Sequence, residues 1–269
     1  MRYKVLAFDI DGTLTNSKKD ITPLTKEAIK KAAACGCKIV IASGRPAKGI
    51  ERYRKELELD NIGGYLLPLN GGMIVEAATG NILNSRFVPH EYYEEIYHLS
   101  KENNVNIMTY DGDAVISENT DDKYVDIEAG INGLGKKQVD NLLEYLDYEV
   151  PKFLMVGDGE YLAKVEKKVY EALCDRLEVY RSEPFFLEIL PKNVDKAKSL
   201  EVLLDKLGYS REELITFGDG FNDITMIEYA GMGVAMGNAK DAVKQSADYI
   251  TGTNDEDGIV DVINKFVLS

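Results

Sequence analysis

Val5-Leu-Ala-Phe-Asp9-Ile-Asp11-Gly12-Thr13 joins an apolar run to two aspartates set two positions apart. A continuous apolar run of this length reads as a central strand covered on both faces, and ligands of open α/β sheets sit beyond the carboxyl ends of such strands. Asp9 and Asp11 fall at that end. Two close carboxylates with no Lys or Arg in the segment repel each other unless a cation neutralises them, and hard oxygen ligands favour Mg²⁺. Gly12 permits a tight turn, and Thr13 brings a hydroxyl to fix it. A calcium loop also uses Asp-x-Asp-Gly, but an EF-hand follows a helix and needs further oxygen ligands, whereas this loop follows a strand pattern and continues Leu-Thr-Asn-Ser-Lys-Lys.

Working outward, helical spacing over 23–34 and a buried strand over 38–42 complete a βαβ unit. A helix is expected over 47–57, a short strand over 65–67, then Asn70-Gly71-Gly72 and a hairpin turning at 78–81. From residue 85 the pattern changes: helix 92–103, strands 106–110 and 114–117, helix 136–145, strand 152–156 and helix 161–173. Strong core signals return with helix 196–207, strand 214–217, helix 222–230 and short strands at 233–235 and 249–250. The expectation is an α/β protein whose core, 1–84 and 188–269, is interrupted by a separate α/β module at 85–187.

The chain has 269 residues, enough for one large domain or two smaller ones, and its 32 basic against 46 acidic residues give a formal charge of −14. That charge repels nucleic acid and anionic membranes, so neither is expected as a partner. A small phosphate ester stays compatible, because a metal ion and a lysine reverse the field inside a pocket. Three cysteines cannot all pair, and Cys35-Gly-Cys37 lacks redox or zinc spacing, so a reducing, cytoplasmic setting is expected. Neither a signal pattern nor an apolar stretch long enough to span a bilayer is read. With two histidines, no Gly-x-Ser-x-Gly elbow and no P-loop, Ser-His-Asp, Cys-His and P-loop chemistry have little support.

Further candidates lie at other strand ends. Ser43-Gly44-Arg45 offers a hydroxyl and a backbone N–H that can approach an anion at a helix start, though Ser43 could simply cap that helix and Arg45 could serve a structural ion pair. Gly218-Asp219-Gly220-Phe221-Asn222-Asp223 repeats the strand-then-acid pattern: Asp219 is the nearer metal-ligand candidate, while Asp223 either orients the site or compensates a helix dipole. Lys196 opens a helix, where a cation opposes the dipole and so calls for an anionic partner, unless the helix end is simply solvated. Gly157-Asp158-Gly159 looks similar to the 218–220 segment but lacks the following Asn-Asp, so Asp158 reads as a turn or cap residue.

Asp9-Ile-Asp11-Gly-Thr13, Ser43-Gly-Arg45, Lys196 and Gly218-Asp219-Gly-Phe-Asn222-Asp223 occur in the order of the four motifs of the haloacid dehalogenase superfamily. The chain most resembles its Cof-type phosphatases along nearly the whole length, including Phe186-Leu-Glu-Ile189, Gly233-Val-Ala-Met-Gly-Asn-Ala239 and Glu256-Asp-Gly258; Ala197 departs from the family's usual glycine. The resemblance implies a Rossmann-like core with a mostly parallel sheet and an inserted α/β cap that selects substrate. It implies Mg²⁺-dependent hydrolysis of small phosphorylated metabolites, foremost sugar phosphates. Asp9 would be the nucleophile and Asp11 the general acid and base. Asp9, the Asp11 backbone carbonyl and Asp219 would hold Mg²⁺, with Asp223 behind them. Ser43, Lys196, Asn222 and backbone N–H groups near Ile10 and Gly44 would hold the substrate phosphate. A phosphomutase of the same superfamily and a non-catalytic phospho-acceptor are the alternatives. Tyr110, Tyr124, Glu128 and Arg181 of the insertion are candidates for facing substrate, each equally readable as packing or surface.

Overall fold

In the computed structural model, which describes residues 2–269, the chain divides into two units. One comprises the described residues up to Ser85 together with Asp195–Ser269, and the other is Arg86–Val194.

The first unit begins β1 (Val5–Phe8), α1 (Pro23–Ala34), β2 (Lys38–Ala42), α2 (Ala47–Glu56), α3 (Leu59–Ile62), β3 (Tyr65–Leu67), β4 (Met73–Glu76) and β5 (Ile82–Ser85). The second unit contains α4 (Tyr93–Glu102), β6 (Asn106–Asp111), β7 (Ala114–Ser117), α5 (Lys123–Asn132), β8 (Gly135–Gln138), α6 (Leu142–Tyr145), β9 (Phe153–Val156), α7 (Gly159–Leu173), β10 (Leu177–Glu183) and β11 (Phe186–Pro191). The first unit resumes with α8 (Lys196–Leu207), β12 (Leu214–Gly218), α9 (Ile224–Tyr229), β13 (Met232–Ala235), α10 (Asp241–Ser246), β14 (Tyr249–Ile250) and α11 (Gly258–Phe266).

The first unit's sheet runs β14-β13-β12-β1-β2-β3-β4-β5, parallel from β14 to β3 and antiparallel across β4 and β5. β1 lies between β12 and β2, and its four residues are buried, as an apolar run covered on both faces requires. One apolar cluster joins Phe8, Ile29, Ile41, Phe217 and Ile263; a second, across the sheet, joins Val5, Val40, Leu67 and Leu203. Parallel strands bring their carboxyl ends to one edge, so the loops after β1, β2 and β12 are gathered there.

The second unit's sheet runs β10-β11-β9-β6-β7-β8, antiparallel except for the β7–β8 pair. Helices α4 and α7 pack with Phe153, Leu187 and Ile189 into this unit's apolar cluster. The return to the first unit falls at Asp195 and not at residue 188, because 186–191 pair with β9 and β10.

Elements of the second unit differ from the sequence reading. Residues 135–138 form an edge strand and only 142–145 are helical, where one helix over 136–145 was expected. Helix α5, capped by Asp122 and closed by Gly133 at φ 62°, was not read, nor were β10 and, in the first unit, α11. Asp158 caps α7, accepting hydrogen bonds from the N–H groups of Glu160 and Tyr161 at 3.1 and 3.4 Å.

Candidate active site

Strands β1 and β12 are in parallel register with Phe8 opposite Phe217, whose rings stack at 4.7 Å. The Asp9 N–H continues the ladder, donating to the Phe217 carbonyl at 3.0 Å, so Asp9 leaves β1 beside the Gly218-Asp219 turn. Lys196 is the first residue of α8, behind the cap residue Asp195, whose side chain accepts from the Lys198 N–H. The lysine side chain is fully buried, and its Nζ donates to Asp9 Oδ1 and Asp223 Oδ1 at 2.5 Å each. Two carboxylates thus supply the anionic partner that a lysine at a helix start calls for.

Asp223 does more than face a helix dipole. Its second oxygen accepts from the backbone N–H groups of Asp219 and Gly220 at 3.0 and 2.9 Å, fixing the loop that carries Asp219. Thr13 donates its hydroxyl to Asp219 Oδ1 at 2.8 Å, tying the β1 loop to the β12 loop. Gly12 stands at φ +82°, and a Cβ there would lie 2.4 Å from Asp219 Oδ2, so only glycine lets these loops approach so closely.

Ligand oxygens of Asp9, Asp219 and Asp223 lie within 4.8 Å of one another. Burial, then the charge of Asp223, pushes the Asp9 carboxyl up to about 7 against the pull of Lys196. Burial likewise pushes Asp219 up to about 6, with Asp223 adding to the rise and the Thr13 hydrogen bond opposing it. For Lys196, burial works to lower the ammonium, but the charges of Asp223 and Asp9 outweigh it and raise the group above its ordinary value. Two buried carboxylates, Asp9 and Asp223, share one ammonium, with the half-buried Asp219 beside them. Such an oxygen-only, net negative set fits a hard divalent cation, which would hold Asp9 and Asp219 ionised.

The Asp11 carboxylate is not part of that set. Cations from outside its own segment hold it: Arg45 Nε and Nη2 at 2.8 Å each, and Lys19 Nζ at 2.8 Å. The repulsion expected between Asp9 and Asp11 is therefore relieved by separate partners, Lys196 for Asp9 and Arg45 with Lys19 for Asp11.

Ser43 is buried after β2, and its hydroxyl accepts from the Arg45 N–H at 3.2 Å; the residue preceding α2 is Pro46, so Ser43 is not that helix's cap. The Ser43 carbonyl accepts from the Asn70 N–H at 2.8 Å, and Asn222 Nδ2 donates to Asn70 Oδ1 at 3.1 Å. A Cβ on Gly44 would meet Asn70 Oδ1 at 3.4 Å. Asn70 thus links the β2 loop to the β12 loop. Ile10 accepts from the Thr15 hydroxyl at 2.9 Å through its carbonyl. Sequence reasoning missed Lys19, whose positive φ of 64° marks a tight turn after Asn16, and Asn238, whose Nδ2 holds the Gly12 carbonyl at 2.8 Å.

A model of the family described as haloacid dehalogenase-like hydrolase matches residues 6–263. The chain belongs to that family. It is 32% identical over 270 residues to a protein named putative phosphatase YxeH of Bacillus subtilis strain 168, covering 99% of each. It is 31% identical over 268 residues to 5-amino-6-(5-phospho-D-ribitylamino)uracil phosphatase YcsE of the same strain, covering 98% of this chain and 96% of that one. Among solved structures, a haloacid dehalogenase-like hydrolase from Bacteroides thetaiotaomicron superposes with a TM-score of 0.92 at 43% identity, covering 98% of this chain and 99% of that one. The chain is accordingly a hydrolase with this family's fold, and no helix among the described residues is long and apolar enough to cross a membrane.

Proposed function

We propose that this hydrolase is a Mg²⁺-dependent phosphatase of small phosphorylated metabolites, most of all sugar and polyol phosphates, working through an aspartyl-phosphate. The observation that carries the reading is Lys196 buried between Asp9 and Asp223 at the strand ends, with Asp219 in the same oxygen cluster. Relatives named as phosphatases over nearly the full chain, one of a ribityl phosphate, support the substrate class.

An Asp9 oxygen attacks phosphorus while the P–O bond to the alcohol breaks, and Asp11 gives the leaving oxygen a proton. Asp11, now a carboxylate, then takes a proton from the water that attacks the phosphorus of the aspartyl-phosphate, freeing phosphate and restoring Asp9. Lys196, Ser43, Asn222 and backbone N–H groups of Ile10 and Gly44 hold phosphoryl oxygens, compensating the charge that spreads onto them. Asp9, Asp219 and the Asp11 carbonyl would hold Mg²⁺, with Asp223 fixing the Asp219 loop; the bound ion supplies charge neutralisation between two anions. We assign the second unit to selection of the alcohol portion, and Cys35, Cys37 and Cys174, held as thiols and not as disulfides, accord with a reducing cytoplasm.

The test is phosphate release across sugar phosphates, nucleotides and cofactor phosphates with and without Mg²⁺, followed by mass analysis of acid-quenched enzyme. The expected result is Mg²⁺-dependent release with a phosphoryl group on the peptide containing Asp9. Phosphate moved to a second position of the sugar in place of water identifies a phosphomutase, and a phosphorylated chain without turnover identifies a phospho-acceptor.

A further inference from the structure

The second unit carries a buried polar cluster that the chemistry above does not use. The Tyr110 hydroxyl on β6 donates to Glu128 Oε1 at 2.6 Å, and Asn132 Nδ2, one turn further along α5, donates to the same oxygen at 2.8 Å. Lys152, just before β9, donates to Glu188 Oε2 on β11 at 2.9 Å, with its Nζ 5.7 Å from the centre of the Tyr110 ring. Glu188 sits between Leu187 and Ile189, which face the apolar cluster, so strand alternation turns it to the opposite side of the sheet. That side is not sealed: Tyr110 and Glu188 each keep 7% exposure, whereas Leu187 and Ile189 keep none.

Two features of the cluster are unsatisfied. Asn132 is 5% exposed and its Oδ1 is buried with no hydrogen-bond partner. The amide orientation is fixed, because Nδ2 faces both Glu128 Oε1 and the Glu128 carbonyl, and turning it would set oxygen against oxygen. Native interiors rarely leave such an acceptor orphaned. The second feature is charge: the Lys152 ammonium bonds Glu188, while the Glu128 carboxylate is met by the neutral Tyr110 and Asn132.

An orphaned acceptor and a surplus carboxylate both call for hydrogen-bond donors. A second cation would be repelled by Lys152, whereas a hydroxyl accepts from an ammonium and donates to a carboxylate or amide oxygen at once. Tyr124, Glu128 and Asn132 follow one another at four-residue spacing on one face of α5, and Tyr124 stacks on Phe185 at 5.1 Å, adding an apolar wall beside the polar groups. We propose that Glu128, Asn132, Lys152 and Glu188 form a recognition site for neighbouring hydroxyls of a polyhydroxylated ligand, the alcohol portion of the phosphate ester. This rests on the phosphatase reading and assigns the residues that select its substrate.

The experiment compares wild type, Glu128→Gln and Asn132→Leu, each loaded with Mg²⁺, on hexose, pentose and acyclic polyol monophosphates and on phenyl phosphate, which lacks hydroxyls. The quantity read is the ratio of kcat/KM for the best hydroxylated ester to that for phenyl phosphate. Both variants are expected to lower this ratio about tenfold or more, the scale at which a site built to bond a hydroxyl discriminates. Asn132→Leu removes the unpartnered acceptor together with the Nδ2 donor to Glu128, so the phenyl phosphate arm separates recognition from structure: a structural loss lowers turnover of both esters and leaves the ratio alone. Where Glu128→Gln fails to fold, Asn132→Leu decides. Unchanged ratios, or equal losses on all esters, overturn the assignment while wild-type turnover keeps the phosphatase reading. Absence of phosphate release by wild type from every ester overturns both.

Discussion

Arg45 grips both carboxylate oxygens of Asp11, Nε on Oδ2 and Nη2 on Oδ1, at 2.8 Å each. Burial alone raises the Asp11 carboxyl, but hydrogen bonds from Arg45 and Lys19 outweigh it and hold the group below the ordinary aspartate range. Without substrate the proposed acid is therefore held as a carboxylate, in a bidentate geometry that fixes its plane, and it takes a proton from solvent before it gives one to the leaving oxygen. Asp11→Asn removes the proton donor and should lower kcat/KM far more for alkyl phosphates, whose leaving oxygen needs a proton, than for nitrophenyl phosphate, whose leaving group does not. The expected gap is about 10²-fold or more. Equal losses on both esters reject the acid role.

Asp9→Asn keeps the shape of the side chain but deletes the charge proposed to attack phosphorus, and turnover should fall to the limit of detection. Stability should move the other way. Burial and the Asp223 charge already disfavour ionised Asp9, so the amide relieves a strained charge in the metal-free protein. At about pH 8 the variant's Tm should equal or exceed that of wild type without metal. A variant that is inactive because it is unfolded would show the opposite shift in a thermal melt.

Lys196 is the single buried cation between Asp9 and Asp223, so Lys196→Met leaves two carboxylates uncompensated. The expected loss at about pH 8 is roughly 3–5 kcal/mol, measured by urea unfolding without metal. The loss should shrink toward about pH 5. Without the ammonium the Asp9 carboxyl rises further above 7, so it is protonated and neutral at the lower pH. A loss independent of pH contradicts the ion pair as its source.

The reach of the sequence follows from how local each signal is. β1 and its aspartates were legible because an apolar run and two acids are adjacent, and Lys196 because a cation at a helix start needs a reason. The Asp11–Arg45 fork was not, since its partners are 34 positions apart and meet only through the β1–β2 pairing. Asp223's hold on two backbone N–H groups is equally invisible without the loop. In the second unit α5 places Val125, Ile127, Ala129 and Ile131 at alternate positions, a strand-like pattern in a helix set by the Asp122 cap. Strand β8 is exposed along its length and carries Lys136 and Lys137, so no apolar alternation announced it.

Metal affinity should depend on pH with a defined sign. Metal-free Asp9 titrates at about 7 and Asp219 at about 6, and a cation binds the carboxylate forms. Mg²⁺ affinity is therefore expected to rise with pH through this window and to level off at about pH 8, with protons released on binding below it. Calorimetric titrations in buffers of different ionisation enthalpy read the proton count. Asp219→Ala should weaken binding more than Asp11→Asn, which keeps the backbone carbonyl, and the reverse order rejects that division of ligands.

Gly12→Ala tests whether the site depends on the approach of two loops as well as on its acids. The glycine sits at φ +82°, where an L side chain is strained, and its Cβ would lie 2.4 Å from Asp219 Oδ2 and 2.8 Å from Asp219 Cγ. Backbone strain of this kind costs about 1 kcal/mol or more, while the clash must be relieved by moving the Asp219 carboxylate. That carboxylate is also held by the Thr13 hydroxyl, on the residue next to the substitution, so the displacement breaks the tie between the β1 and β12 loops. The expected variant is folded, binds Mg²⁺ about tenfold or more weakly, and recovers part of its kcat when Mg²⁺ is raised, because Asp9, the proposed nucleophile, is untouched. Asp219→Ala combined with Gly12→Ala should be little worse than Asp219→Ala alone, since both act through one carboxylate. Additive losses in Mg²⁺ affinity would show that Gly12 acts elsewhere, and that the close approach of these loops is not what positions Asp219.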